Sequence, residues 1–423
     1  MSALAHSLRA LQSRNYRLFF AGQTVSLVGS WMTRLATTWL VYRLTGSAVL
    51  LGTVSFCSQI PMFFLAPIAG VWVDRWDRRR TLVITQSIAM LQSFALAALT
   101  LSGVIRVWHI VALSLVQGVV NAIDMPARQS FVIQMVERRE DLSNAIALNS
   151  SMVNATRLIG PAAAGIVVGA IGEGWCFLAD GVSYLAVIAS LIAMRVTQPA
   201  LSGPRTGAVQ QMTEGWQYVR QSPPIRSLLI LLGIVSLVGM PYTVLMPIFA
   251  DRILHGGPNT MGFLMGASGI GALLAALMLA RRQTVAGLGK WIPASAAIFG
   301  AALIGFALSR TLWLSLAVMP LVGFGMMQEM AATNTILQTI VEDDKRGRVM
   351  AYYAMAFQGV APFGSLLAGA LSERIGAPST IVICGIVCMF GALWFALRLP
   401  ALRTLVRPIY VRLGILPELT ETV

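Results

Sequence analysis

Long, mostly apolar stretches separated by short polar ones set the pattern of this chain. A helix that crosses a bilayer core needs about 20 predominantly apolar residues. Twelve stretches qualify, near 17–42, 49–73, 81–103, 107–134, 143–171, 175–195, 226–249, 259–280, 291–309, 311–335, 346–372 and 378–398. The longest polar interval, Val196 to Ile225, separates the sixth from the seventh. It holds Pro199, Gly203, Pro204, Gly207, Pro223 and Pro224, with a short amphipathic segment at Glu214–Arg220. The pattern therefore predicts an all-α membrane protein of twelve transmembrane helices in two six-helix bundles. The expected domains are a bundle at 1–195, a cytoplasmic linker at 196–225, a second bundle at 226–398 and a cytoplasmic tail at 399–423.

Composition agrees with the pattern. Length alone, 423 residues, would suit two or three soluble domains. Yet 57% of the residues are hydrophobic and only 11% are charged, against about 25% in a soluble protein. Mean hydropathy is +0.74. A net charge of +14 would point a soluble protein towards nucleic acid. Here the positions of the charges decide otherwise. With the twelve spans in place, 23 of the 31 Lys and Arg residues fall on one side, five on the other and three within spans. The positive-inside rule then puts both termini in the cytoplasm of a bacterial inner membrane, the basic face against anionic lipids. No nucleic-acid partner is expected.

Cys57, Cys176, Cys384 and Cys388 all lie in apolar segments, without the spacing of a disulfide framework. Three histidines, His6, His109 and His255, are too few for an intramembrane metalloprotease or haem protein. No cleavable signal peptide and no Walker A segment are evident. No metal site or cofactor is expected. No nucleophile, base or metal cluster appears at membrane depth, which argues against an enzyme. Short tails argue against a sensor with an added soluble domain.

The two halves echo one another. Residues 121–165 and 325–369 each read as a helix end, a charged hinge and a helix with a proline near its far end. Ile133-Gln134 matches Leu337-Gln338 at an offset of 204, and Arg106 and Arg310 share that offset. Two six-helix repeats in parallel topology place a substrate site near the midplane at their interface.

The segment Gly70-Val-Trp-Val-Asp74-Arg75-Trp-Asp77-Arg78-Arg79-Arg80 fits the G-x-x-x-D-R-x-x-R-R pattern, between the second and third spans. With it, essentially the whole chain resembles the major facilitator superfamily. Three further segments resemble its efflux branch, which includes enterobactin and macrolide exporters. They are Asn121-Ala-Ile-Asp124-Met-Pro126-Ala-Arg128-Gln129, Asn144-Ala-Ile-Ala-Leu-Asn149-Ser150 and Arg346-Gly-Arg348-Val-Met350. Arg157-Leu-Ile-Gly160-Pro161 is partly similar to the glycine-proline motif of antiporters. The resemblance implies a monomeric secondary transporter that exports a small amphipathic molecule, drug-like or siderophore-like, by proton antiport. Uptake, or flipping of a lipid-like substrate, is the alternative on the same fold. One departure stands out. The family's fourth-span motif has Arg four residues before a glycine; here Gly118 is kept but that position is Ser114.

Charges inside spans cost about 2.5–3.5 kcal/mol each on insertion scales, so each needs a partner or a wet cavity. Arg34 lies about 26 Å along its helix from Arg17, at roughly 1.5 Å per residue. It either faces substrate or a coupling carboxylate, or forms a fixed pair, with Asp180 as the candidate partner. Asp124 and Arg128, four apart, suit a helix-surface pair. By resemblance they join Gly70, Asp74, Arg75, Arg78 and Arg79 in the inward gate, with Asp124 on Arg78 or a neighbour and Asp74 near the start of the eleventh span. Glu329 occupies in the tenth span the place of Asp124 in the fourth, and suits either proton coupling or gate pairing. Ser150, Asn154 and Arg157 form a polar stripe, read as cavity lining or as interhelical hydrogen bonding. Substrate and coupling candidates are thus Arg34, Asn121, Asn149, Arg157, Tyr242, Met326, Glu329 and Tyr353. The last group draws on a run of Met and aromatic residues in spans seven, ten and eleven. Such residues suit promiscuous binding or ordinary packing.

Overall fold

A computed structural model describes residues 9–136, 138–195, 208–282 and 284–417. The described residues are almost entirely helical. Twelve long helices form: α1 Arg14–Thr45, α2 Ala48–Arg75, α3 Arg78–Leu101, α4 Val107–Met135, α5 Leu142–Ile171, α6 Glu173–Ala193, α7 Pro223–Ile253, α8 Gly257–Ala280, α9 Leu288–Leu308, α10 Leu312–Ile340, α11 Asp344–Ile375 and α12 Ala377–Arg412. Eleven are long and apolar enough to cross a membrane by length and composition alone. The exception is α1. It has 32 residues, but Gln23, Thr24, Ser26, Ser30, Thr33, Arg34, Thr37 and Thr38 interrupt its apolar character.

Local chemistry sets where these helices stop. Gly46, at φ 62°, closes α1 in a left-handed cap, its N–H donating to Tyr42 O at 2.7 Å. Asp77 Oδ1 accepts from the Arg80 N–H at 3.0 Å and so caps α3. Pro223 and Pro224 open α7, where no N–H is needed. α7 thus starts three residues before the expected 226.

Residues 399–412 were expected in the tail, and they continue α12 instead, through Pro400 and Pro408. Leu399, Leu402 and Val406 keep an apolar spacing of three and four there, so the helix still has a face to bury. The amphipathic segment of the interval after α6 forms a helix, Ala208–Gln221, longer than the expected core at 214–220.

The chain gathers into two compact units. One contains α1–α6 together with residues 244–269, the C-terminal part of α7 and the first half of α8. Within it α1 packs on α5 and α6, α2 on α4, and α3 on α4 and α6. One end is filled by Tyr16, Phe19, Leu82, Phe131, Met135 and Leu191. Tyr16 Oη donates to Ala145 O and Ser13 Oγ to Met135 O, both at 2.7 Å. α5 and α8 meet through glycine: a Cβ on Gly262 would lie 2.6 Å from Pro161 O and 2.9 Å from Gly165 Cα. Only a residue without a side chain permits that approach.

The other unit contains residues 206–243 and 270–423. Here α9 packs on α10 and α12, as α3 packs on α4 and α6. The repeat seen in sequence is also visible in helix lengths. α4 and α10 each have 29 residues and start 205 positions apart. Arg106 is the N-cap residue of α4, whereas Arg310 lies one position outside Thr311, the N-cap of α10.

Candidate functional site

The candidate residues fall into three groups, each within one unit. In the first, Asp124 of α4 is 2% exposed. Its Oδ1 accepts from Thr85 Oγ1 at 2.9 Å and from Gln86 Nε2 at 2.7 Å, both on α3. Its Oδ2 pairs with the Arg128 guanidinium one turn further along α4. The spacing of four brings acid and base onto one face, and the two α3 donors fill the lone pairs of Oδ1. The charge is thereby compensated inside the unit and α3 is tied to α4. Arg79 extends from the first turn of α3 to the end of α6. It donates to Leu191 O at 2.7 Å and Ile192 O at 2.6 Å, two carbonyls at a helix end with no partner in their own helix. Arg78 starts α3 beside the Asp77 cap. Gly70, Asp74 and Arg75 lie on the last turns of α2, outside the side chains that the structure describes.

The second group lines α1 and α5. Arg34 is exposed, and its guanidinium stacks over Trp31 at 4.8 Å from the ring centroid. Arg157 of α5 is its charged neighbour. The two like charges are thus electrostatic neighbours. Asn154 turns back on its own helix, donating to Ser150 O at 2.9 Å. That leaves Asn149, half-buried, and Ser150, exposed, on the same helix. Asn121 of α4 accepts from Gln117 Nε2 at 3.1 Å.

The third group lies in the second unit. Glu329 of α10 is 1% exposed and its neighbour Gln328 is 0% exposed. Thr333 Oγ1 donates to Glu329 Oε1 at 3.2 Å. Glu329 Oε2 and both amide atoms of Gln328 are buried without a hydrogen bond. Buried polar groups nearly always have partners, so this is a concentrated exception. Tyr353 of α11 donates to Met330 O at 3.2 Å and stacks with Phe357 at 6.5 Å and 26°. Glu329 and Tyr353 are electrostatic neighbours. Met326 is buried on the same helix as Glu329, and Tyr242 is buried edge-on against Phe299, ring centroids 6.4 Å apart.

Several features of the structure had no place in the pattern of spans. π-helical turns interrupt α7 at Val235–Gly239 and α11 at Met355–Gly359. The two turns touch through Ser236 Oγ and Phe357 O. Such turns free carbonyls from the regular ladder and recur at functional sites. Gly239 with Pro241, and Gly359 with Pro362, were the available sequence signals.

At the other end of α7, Tyr42 Oη donates to Asp251 Oδ2 at 2.6 Å. Arg252 covers the Tyr42 ring at 5.8 Å and donates to Gly46 O at 3.2 Å. Arg43 meets Glu173 through two donors at 2.7 and 3.2 Å. The helix Ala208–Gln221 is bound to the start of α11. Glu214 pairs with Arg348 at 2.8 Å, Tyr352 Oη donates to Met212 O at 2.8 Å, and Lys345 lies 4.9 Å from the Tyr218 ring. Burial raises the Tyr218 hydroxyl above its ordinary pKa.

Comparison with known proteins places this geometry. The chain is 26% identical over 387 residues to the staphyloferrin A transporter of Staphylococcus aureus, covering 90% of this chain and 96% of that protein. It is 24% identical over 392 residues to macrolide efflux protein A of Streptococcus pyogenes, covering 88% and 96%. The solved structure of a point mutant of the nucleoside transporter NupG superposes with a TM-score of 0.71 at 14% identity, covering 90% and 98%. That likeness shows the fold alone, an all-helical membrane fold. The model of the transmembrane secretion effector family matches residues 5–407. The chain therefore belongs to the transmembrane secretion effector family, a multi-pass membrane transporter of small molecules within the major facilitator superfamily.

Proposed function

We propose that this transporter exports a small amphipathic molecule, drug-like or siderophore-like, across the bacterial inner membrane by proton antiport. The observation that carries this reading is Arg34, an exposed guanidinium far along α1 with Arg157 beside it. An ionisable side chain at that depth is expensive unless it meets water or cargo. Two adjacent positive charges favour a cargo bearing a carboxylate or another anionic group, with Trp31 offering its apolar face alongside. The relatives above are a staphyloferrin A transporter and a macrolide efflux protein.

In this reading the basic surface faces the cytoplasm and its anionic lipids, both termini are cytoplasmic, and the protein works as a monomer with a bundle on each side of the linker. The 70–80 segment, with Asp74 and Arg78, gates the inner side. Glu329 carries the proton. Its carboxyl has one hydroxyl partner and an unbonded second oxygen, so both protonation states can be accommodated by small movements. Alternating access then needs contacts that hold in one state and break in the other.

The test is accumulation of labelled candidate cargo in inverted membrane vesicles. The reading expects uptake into vesicles that Arg34→Ala weakens at low cargo concentration. Uptake by right-side-out vesicles alone would reverse the direction.

A further inference from the structure

Asp180 belongs to none of the three groups above. It lies seven residues into α6 and is 1% exposed. Ser93 Oγ of α3 donates to its Oδ2 at 2.9 Å. Ser30 and Thr33 of α1 are electrostatic neighbours of the same carboxylate, and Ser183 Oγ, one turn on, donates to the Asp180 backbone carbonyl at 2.7 Å. Ser30 Oγ is also 3.3 Å from Tyr184 Oη. α1 comes this close because residue 29 is glycine. A Cβ there would lie 2.8 Å from Asp180 Oδ1 and 3.0 Å from Asp180 Cα. Three helices thus bring four hydroxyls around one acid.

The cluster is electrically incomplete. Among the described residues no Lys, Arg or His pairs with Asp180. Arg34, next to Thr33 in sequence, stacks on Trp31. Asp180 Oδ1 and Thr33 Oγ1 are both buried without a well-formed hydrogen bond. The titratable neighbours are Cys176 and Tyr184, both on α6, and neither is a cation. α3 adds only the Ser93 hydroxyl and the Gln92 amide. An ionised carboxylate left alone in such a place is strongly disfavoured. Asp124, in the same unit, shows the contrast, since its charge is met by Arg128.

We infer that Asp180, with Ser30, Thr33, Ser93 and Ser183, forms a binding site for one monovalent positive charge, carried by a proton or by Na+. All five side chains supply oxygen, the ligand type that hard cations prefer. Hydroxyls suit both the empty and the filled site, because each can donate to the carboxylate or turn a lone pair to a cation. Binding rests on this geometry alone. Linkage of the bound charge to export rests on the function proposed above.

The experiment uses the purified full-length protein without cargo, so it stands whether or not the export reading holds. Thermal unfolding is followed during a Na+ titration against choline at constant ionic strength. The carbonyl stretch of protonated carboxyls is followed by infrared difference spectroscopy during a pH titration. A saturable Na+ shift that Asp180→Asn removes identifies Na+. A titrating carboxyl band missing from Asp180→Asn identifies a proton. Thr33→Val keeps the carboxylate and serves if Asp180→Asn folds poorly. It is expected to move the Na+ half-saturation by about tenfold, or to shift the carboxyl titration midpoint by about one pH unit, as loss of one ligand to a charged group implies. Absence of both responses in the wild type, or wild-type binding by Thr33→Val, overturns the inference.

Discussion

Tyr42 Oη donates to Asp251 Oδ2 at 2.6 Å, so the end of α1 is joined to the end of α7 by a charge-assisted hydrogen bond. Arg252 lies on the other face of that tyrosine and reaches the Gly46 carbonyl. Tyr42→Phe keeps the ring under Arg252 and removes only the hydroxyl. The expected loss is about 1.5–3 kcal/mol, the usual worth of a hydrogen bond to a charged group. Thermal unfolding of Tyr42→Phe, Asp251→Asn and the double variant checks it. The double variant should cost little more than either single one, because both remove the same bond.

Asp124 makes a different prediction, because it is buried between the buried donors Thr85 and Gln86 and the half-buried Arg128. Asp124→Ala leaves Arg128 facing Thr85 and Gln86 with no acceptor between them. Removing one member of a buried pair costs about 3–5 kcal/mol. Asp124→Asn keeps an acceptor for the α3 donors and should cost less. Chemical or thermal denaturation in detergent reads the order: wild type most stable, then Asn, then Ala.

Arg34 should act on cargo rather than on folding. It is exposed, and its described contact is the Trp31 face. Arg34→Ala is expected to raise KM for carboxylate-bearing cargo by about tenfold or more, as loss of one charged hydrogen bond implies. Melting temperature should stay near that of the wild type. Arg34→Lys should fall between, since a point charge replaces a planar fork. Vesicle uptake at graded cargo concentrations separates KM from maximal rate.

Much of this architecture was legible in the apolar runs. Their length fixes the helices within a few residues. α1 falls short of a span by hydropathy, because its buried face carries Gln23, Ser26 and Gly29 and packs against other helices. The Asp124–Arg128 pair was readable because both residues share one helix. Tyr42 and Asp251 are 209 positions apart, and no local pattern links them. The surroundings of Asp180 escaped for the same reason: its hydroxyls come from three helices. The π-helical turns in α7 and α11 left only glycine and proline as traces, and those residues have other uses in membrane helices.

The gate assigned to the 70–80 segment separates binding from movement. Asp74→Asn and Arg78→Ala are each expected to abolish vesicle transport while cargo binding to the detergent-solubilised protein stays measurable. Full transport by Asp74→Asn would remove the segment from the gate.

The central claim is that cargo leaves in exchange for protons, with Glu329 as the carrier. Cargo-driven proton flux in proteoliposomes, read by an internal pH dye, tests it most directly. The account predicts proton movement opposite to cargo in the wild type. With Glu329→Gln, proton movement is lost while cargo still binds. Cargo transport that proceeds at the same rate with and without a pH gradient, and moves no protons, would contradict it.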